Sequence, residues 1–377
     1  MTKNKRIIVS VTNDLYTDQR VHKVCMFLLC QGYEVLLVGR KRKTSVDLPP
    51  RAYTTKRMRL LFDKGALFYA EFNFRLFLFL IFRRASILLA NDLDTLLANY
   101  CASKFKPIVE LVYDSHEYFT EVPELQGRRA KKVWEGIEAY IFPRLKKIYT
   151  VNQSIADLYA TKYNKEILVV RNISPLWKPE TILSKEELGL PTDKKIIIIQ
   201  GSGINVDRGA EEAVEAMKFI ENAVLIIVGD GDVVPTLKTT VQQNKLEHKV
   251  LFFAKQPYER MMNYTYHASI GLTLDKDTNL NYKYSLPNKL FDYIHTSTAI
   301  VCTNLVEIRR IVDKYKVGEV IEDFTVENLA SCINQLLNDE TRLNTFISNC
   351  DKAKIHENWE NETEILRGIY PKLDPTK

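Results

Sequence analysis

A rhythm constrains this chain more than any single motif. Short runs rich in Ile, Val and Leu recur from end to end, beginning RIIVSV (6–11), EVLLVG (34–39), SILLA (86–90), IVELVY (108–113), KIYTV (147–151) and ILVV (167–170). A second series follows: KKIIIIQG (194–201), AVLIIVGDG (223–231), KVLFFA (249–254), SIGLTL (269–274), AIVCT (299–303) and VGEVIE (317–322). These runs are nearly continuous in apolar residues, as expected of strands covered on both faces, and the stretches between them mostly carry helical spacing. In QRVHKVCMFLLCQG, for example, Val21, Val24, Cys25, Leu28 and Leu29 share a helical face and Gly32 marks the end. Strand and helix in alternation predict parallel sheets built from βαβ units.

The rhythm breaks once. Pro175, Trp177 and Pro179 stand in a segment with no periodicity, which predicts a linker. With about 100–200 residues per domain, the 377 residues divide into a first Rossmann-like domain over 1–172, a linker over 173–193 and a second Rossmann-like domain over 194–355. A last helix within 356–377 is expected to pack back on the first domain. The predicted class is α/β, two tandem doubly wound domains facing a cleft, with ligands expected at the carboxyl ends of the strands.

Composition narrows the function. A net charge of +6 is too modest for a dedicated nucleic-acid binder and suits contact with phosphates or an anionic membrane surface. The six cysteines are scattered without a C-x-x-C pair or zinc-finger spacing, so reduced thiols are expected. The N-terminus runs from MTKNK straight into a strand without a small-residue cleavage site, and a cytoplasmic location is expected. Ala66–Arg84, ALFYAEFNFRLFLFLIFRR, is strongly apolar but interrupted by Glu71 and Arg75. It falls short of a spanning helix, so it is expected to be buried or to lie peripherally on the inner face of the cytoplasmic membrane.

Two stretches carry candidate chemistry. In QGSGINVDRGAEEAVEAM, Gly201 and Gly203 follow a buried strand and permit close backbone approach, and Arg208 stands at the mouth of a helix. Helix N-termini attract anions, and arginine adds bidentate phosphate recognition. In YSLPNKLFDYI, Pro287, Asn288 and Lys289 open a second helix, and Asp292 lies one turn inside, where a carboxylate is able to accept ribose hydroxyls. Two cations and a carboxylate at two helix mouths predict a diphosphate-and-ribose site. His116 of DSHE follows IVELVY at a carboxyl strand end, with Asp114 and Glu117 as weaker candidates. The D-x-D of Asp92 and Asp94 has the spacing of a metal-holding pair, but the helical run behind it predicts a helix cap.

Read in order, GSGINVDRGAEEAVEA, VLIIVGDGD, KVLFFA and SLPNKLFDYIHTSTAIVCTNLVEIRRIV resemble the donor half of the family 4 glycosyltransferases, retaining enzymes of the GT-B fold. TDQRVHKVCMFLLCQGYEVLLVG and LVYDSHEYF are similar to that family's acceptor half. The resemblance implies a UDP-, GDP- or ADP-sugar donor, a glycan or lipid-linked acceptor in envelope polysaccharide synthesis, and no metal or other cofactor. It implies that Arg208 and Lys289 neutralise the diphosphate, that Asp292 holds the ribose and that His116 stands beside the donor sugar. Tyr284 occupies the first acidic position of the family's Glu, seven residues, Glu motif, and Asp292 is Asp where the family has Glu. The base is expected to meet the loop around Lys255–Pro257. The same architecture also serves nucleotide-sugar 2-epimerases, and a catalytically silent nucleotide-sugar-binding scaffold is the remaining alternative.

Overall fold

The computed structural model describes residues 5–16 and 18–373, and the chain divides into two compact units: Met1–Asn172 with Glu362–Lys377, and Ile173–Asn361. The first holds strands β1 (Arg6–Asp14), β2 (Glu34–Lys41), β3 (Thr54–Arg59), β4 (Ile87–Asn91), β5 (Glu110–Ser115), β6 (Lys147–Thr150) and β7 (Leu168–Val169). They form one sheet in the order β3-β2-β1-β4-β5-β6-β7, parallel throughout. The chain winds outward from β1 through β2 to β3, then returns to lay β4 on the other side of β1. The gap between β1 and β4 is therefore the switch point, where loops leaving the carboxyl ends diverge and leave room for a ligand.

The second unit repeats the plan with β8 (Lys195–Gly201), β9 (Ala223–Gly229), β10 (Val250–Phe253), β11 (Ile270–Thr273), β12 (Ala299–Thr303) and β13 (Gly318–Ile321) in the order β10-β9-β8-β11-β12-β13. These strands too are parallel, and the switch point falls between β8 and β11. Side chains of β8 alternate between two apolar cores: Ile197 and Ile199 in one, Ile196 and Ile198 in the other. Both faces are thus covered, which is why the strand is a continuous apolar run. Ile173, Leu188 and Leu190, from the irregular segment ahead of β8, are buried in the second of these cores.

Local signals set the helices. Gln19–Cys30 starts where the Asp18 carboxylate accepts the Val21 N–H at 3.1 Å. It ends with Tyr33 N–H bonded to Leu28 O and Gly32 N–H to Leu29 O, Gly32 taking φ +89°. That is the Schellman arrangement the glycine makes possible. Gly65–Ile81 buries Phe68, Phe72, Leu76 and Leu80 in a core with Ile8, Val38 and Leu88 of the first sheet. Each such side chain contributes about 1.5–3 kcal/mol. Phe74 on the same helix is exposed. Among the described residues no helix is long and apolar enough to cross a membrane. The helix Trp359–Ile369 ends in the first unit, where Leu366, Ile369 and Tyr370 are buried and Tyr33 Oη donates to Pro371 O at 3.0 Å.

β3 is not predicted by the sequence rhythm. Its run TTKRMR buries only Met58 and lies at the sheet edge, so charge rather than apolar continuity marks it.

Candidate functional site

In the second unit the loops after β8 and β11 meet at the switch point. Gly201 has φ +135° and faces Gly229, φ +147°, across the β8–β9 pair, and a Cβ on Gly229 would fall 1.8 Å from Gly201 O. Gly209, φ +74°, lies so close to β11 that a Cβ there would fall 2.3 Å from Leu274 Cβ. These glycines let the loop 202–209 lie down on the sheet end, which brings Arg208 to Asp275. Around Gly203 the position of a Cβ has nothing within 4 Å, so packing does not require a glycine there and the backbone is open to a ligand.

Arg208 Nη1 donates to Asp275 Oδ2 at 2.7 Å, and its guanidinium lies 4.2 Å over the Tyr282 ring. Lys289 Nζ stands 4.0 Å from the other oxygen, Asp275 Oδ1, and Ser285 Oγ donates to Oδ2 at 3.1 Å. The structure thus brings the two predicted cations together on one fully buried carboxylate. Burial pulls the Lys289 ammonium below its ordinary range; Asp275 opposes that fall and the Arg208 charge adds to it. Two cations against one carboxylate leave a net positive charge, and Arg208 Nε is buried without a hydrogen-bond partner. An arrangement of this charge suits an anion with several oxygens. Asp275 escapes the sequence prediction; its only signal is a place just past the carboxyl end of SIGLTL.

Pro287 occupies the N-cap position of the helix Asn288–His295, and no side chain caps that end. Leu290, Phe291 and Ile294 are fully buried as their spacing predicts. Asp292 lies one turn inside this helix. Its carboxylate is 4% exposed and accepts from Gln200 Nε2 at 3.0 Å, Tyr258 Oη at 3.0 Å and Ser174 Oγ at 3.2 Å. These bonds hold the Asp292 carboxylate and the Tyr258 hydroxyl against each other. In the loop after β10, Lys255 and Pro257 are exposed and Gln256 is half-buried.

In the first unit His116 follows β5, beside the β1–β4 switch point. Its backbone N–H donates to Asp92 Oδ1 at 2.7 Å; its ring places Nδ1 3.3 Å from Asp92 Oδ2 and Nε2 3.2 Å from Asp114 Oδ2. Asp114 also receives Nη2 and Nε of Arg20, at 2.7 and 3.1 Å, beneath the ring. Asp92 does not make the side-chain cap bond that sequence predicts. Asp92 stands at the N-cap position of the helix Leu93–Phe105, but with φ +58° its carboxylate makes no cap bond and turns to His116. Asp114 is the buried partner of Arg20.

The electrostatics follow from this crowding. Burial opposes charge on His116, but Asp92 and Asp114 outweigh it and push the ring up to about 9. Burial and the Asp92 charge push Asp94 up to about 7 and Glu117 up to about 8. Thr12, from β1, donates to Asp94. A carboxylate at each ring nitrogen favours the protonated form of His116.

Residues 181–353 match the family model described as glycosyl transferases group 1. No curated protein matches the chain in sequence. Among solved structures, a sucrose-phosphate synthase from Thermosynechococcus elongatus is similar at 16% identity and TM-score 0.76, over 97% of this chain and 98% of that one. WaaG, a glycosyltransferase involved in lipopolysaccharide biosynthesis, is similar at 14% identity and TM-score 0.73, over 97% of this chain and 99% of that one. HepE of Anabaena, solved in complex with UDP-glucose, is similar at 13% identity and TM-score 0.73, over 97% and 99%. At such identities the likeness is one of fold: the parallel α/β architecture matches that of GT-B glycosyltransferases. The family match over residues 181–353 supports a transferase.

Proposed function

We propose that the protein is a retaining transferase of the family 4 kind, moving a sugar from a nucleoside diphosphate sugar to a glycan or lipid-linked acceptor in envelope polysaccharide synthesis. The observation that carries this reading is the convergence of Arg208 and Lys289 on Asp275 at the β8–β11 switch point. HepE, which binds UDP and UDP-glucose, and WaaG, which works in lipopolysaccharide synthesis, support the same class of donor and acceptor.

In the proposed step the bond from the sugar C1 to the β-phosphate oxygen breaks, and its electron pair stays on that oxygen. The acceptor hydroxyl bonds to C1 from the same face, and its proton passes to the departing phosphate. Charge therefore grows on the diphosphate, where Arg208, Lys289, the backbone at Gly201 and Gly203, and the uncapped helix mouth at Pro287 and Asn288 stabilise it. This arrangement supplies the positive charge a metal ion would bring, so transfer is proposed to need none. His116 contributes as a fixed positive charge of the first unit. Its location is proposed as cytoplasmic and peripheral on an anionic membrane.

The full chain incubated with a panel of UDP-, GDP- and ADP-sugars is expected to release one nucleoside diphosphate slowly without acceptor, with or without a strong chelator. Interconversion of the sugar without release would replace this reading by epimerisation. Binding without any change would replace it by a silent scaffold.

A further inference from the structure

A cavity lined by cations lies in the first unit, at the carboxyl end of β2. Its volume is about 590 Å³, and Arg40, Arg42, Lys43 and Lys64 line it above an aromatic floor of Phe68 and Tyr69. Asp63 is the only acid in the lining, and it meets Arg40 through its backbone carbonyl, at 3.2 Å, not its carboxylate. Among the described residues, none of these four cations is paired with a carboxylate.

The walls are built, not loose. Arg42 N–H donates to Ser45 Oγ at 2.7 Å, and Ser45 in turn bonds Asp14, which receives Arg57 at 3.0 and 3.1 Å. The segment leading into Asp63 and Lys64 is held by Glu71, whose carboxylate takes the N–H groups of Leu61 and Phe62 at 2.9 to 3.0 Å. Arg40 lies 4.4 Å over the Phe68 ring, with its Nε buried and without a partner. The 17-residue helix Gly65–Ile81 opens at Lys64 with no side-chain cap.

Like charges held together without counter-ions repel, and an anion of several charges relieves that repulsion where one carboxylate would not. From this geometry we infer that the cavity binds a phosphate or diphosphate group carried by the acceptor. The volume exceeds that of a diphosphate and leaves room for an attached sugar. Leu61, Phe62 and Leu67, which flank Asp63, Lys64 and Phe68 in sequence, are exposed apolar side chains. That pairing suits a lipid-linked phosphate, and a water-soluble sugar phosphate shares its chemistry. The word acceptor rests on the proposed transfer; the binding does not.

The test uses the full chain carrying Arg208→Ala and Lys289→Ala, which removes both cations of the second unit's phosphate site. Inorganic pyrophosphate is titrated with the cavity intact and again with Arg42→Ala and Lys43→Ala added, both exposed positions. Binding at least tenfold weaker, restored by the swap Arg42→Lys with Lys43→Arg, is expected; equal binding in all three overturns the site. Farnesyl diphosphate binding more tightly than pyrophosphate assigns the lipid-linked source, and equal binding the soluble one. UDP binding to the unsubstituted chain is followed separately. UDP bound while the cavity variants change nothing sinks the cavity alone, whereas no UDP bound while they lose pyrophosphate sinks the donor reading alone.

Discussion

Asp275 accepts Arg208 at 2.7 Å across the β8–β11 switch point, 67 residues away in sequence. The same carboxylate stands 4.0 Å from Lys289 Nζ and opposes the fall that burial imposes on the lysine. Lys289 acts charged, so transfer is lost as pH rises through its folded pKa, already below the ordinary lysine range. Asp275→Asn removes a charge that raises that pKa, while Arg208, which lowers it, remains. The alkaline limb of kcat/KM is therefore expected to move to lower pH in Asp275→Asn. A limb that stays in place while overall activity falls would leave Asp275 a purely structural role.

Lys289→Ala is expected to reduce turnover more than it weakens binding of the intact sugar nucleotide, because charge on the leaving diphosphate grows in the transition state. The scale for one lost electrostatic donor is about a hundredfold, or roughly 2.7 kcal/mol. Steady-state kinetics beside equilibrium binding of the donor separate the two. Unchanged kinetics would reduce Lys289 to a counter-ion for Asp275.

The cluster around His116 ties the first unit's stability to pH. Asp94 is raised to about 7, Glu117 to about 8 and His116 to about 9, each above its unfolded value. Groups raised on folding stabilise fully below their unfolded pKa and lose that contribution as pH rises through the folded one. Asp114, held low by Arg20 despite its burial, acts only in acid outside this window. Stability is thus expected to fall between pH 5 and pH 9, and Asp94→Asn with Glu117→Gln to flatten the fall. Urea denaturation at several pH values checks this; parallel curves for the double variant and the parent would refute it.

The two sheets were legible because their central strands are continuous apolar runs, as Ile196–Ile199 illustrates, and two-sided burial leaves no other composition available. β3 was not, since an edge strand buries one side chain, Met58, among charges. The cations Arg208 and Lys289 were legible from helix-mouth positions, whereas Asp275 was not, because its meaning comes from two loops folding onto one sheet end. Asp92 misleads for the opposite reason. Its local pattern is that of a cap, but the His116 loop reaches it from β5, and the tertiary bond wins over the local one. The donors to Asp292 were likewise not legible, because Ser174, Gln200 and Tyr258 come from three separate parts of the chain.

The helix Gly65–Ile81 divides its apolar residues between core and surface. Phe68, Phe72, Leu76 and Leu80 are buried, yet Phe74 is 63% exposed and Phe82, at the helix end, 81%. Exposed Phe105 lies beside the same helix, its ring 5.5 Å from that of Phe77, and Ile108 follows it at 97% exposure. Arg83, Arg84 and Lys104 are exposed around this patch. Apolar area bordered by cations is the composition of a surface that lies on anionic lipid, where each basic residue adds about 1 kcal/mol and each inserted phenylalanine about 1.5–3 kcal/mol at full burial. The purified chain is expected to co-sediment with anionic vesicles at low salt, to be released as ionic strength rises and to ignore neutral vesicles. Phe74→Ser with Phe82→Ser should weaken that binding tenfold or more without altering the fold, since neither side chain packs in the core. Binding that ignores both substitutions, or that is absent from anionic vesicles altogether, would leave the patch without a lipid partner and favour a soluble acceptor.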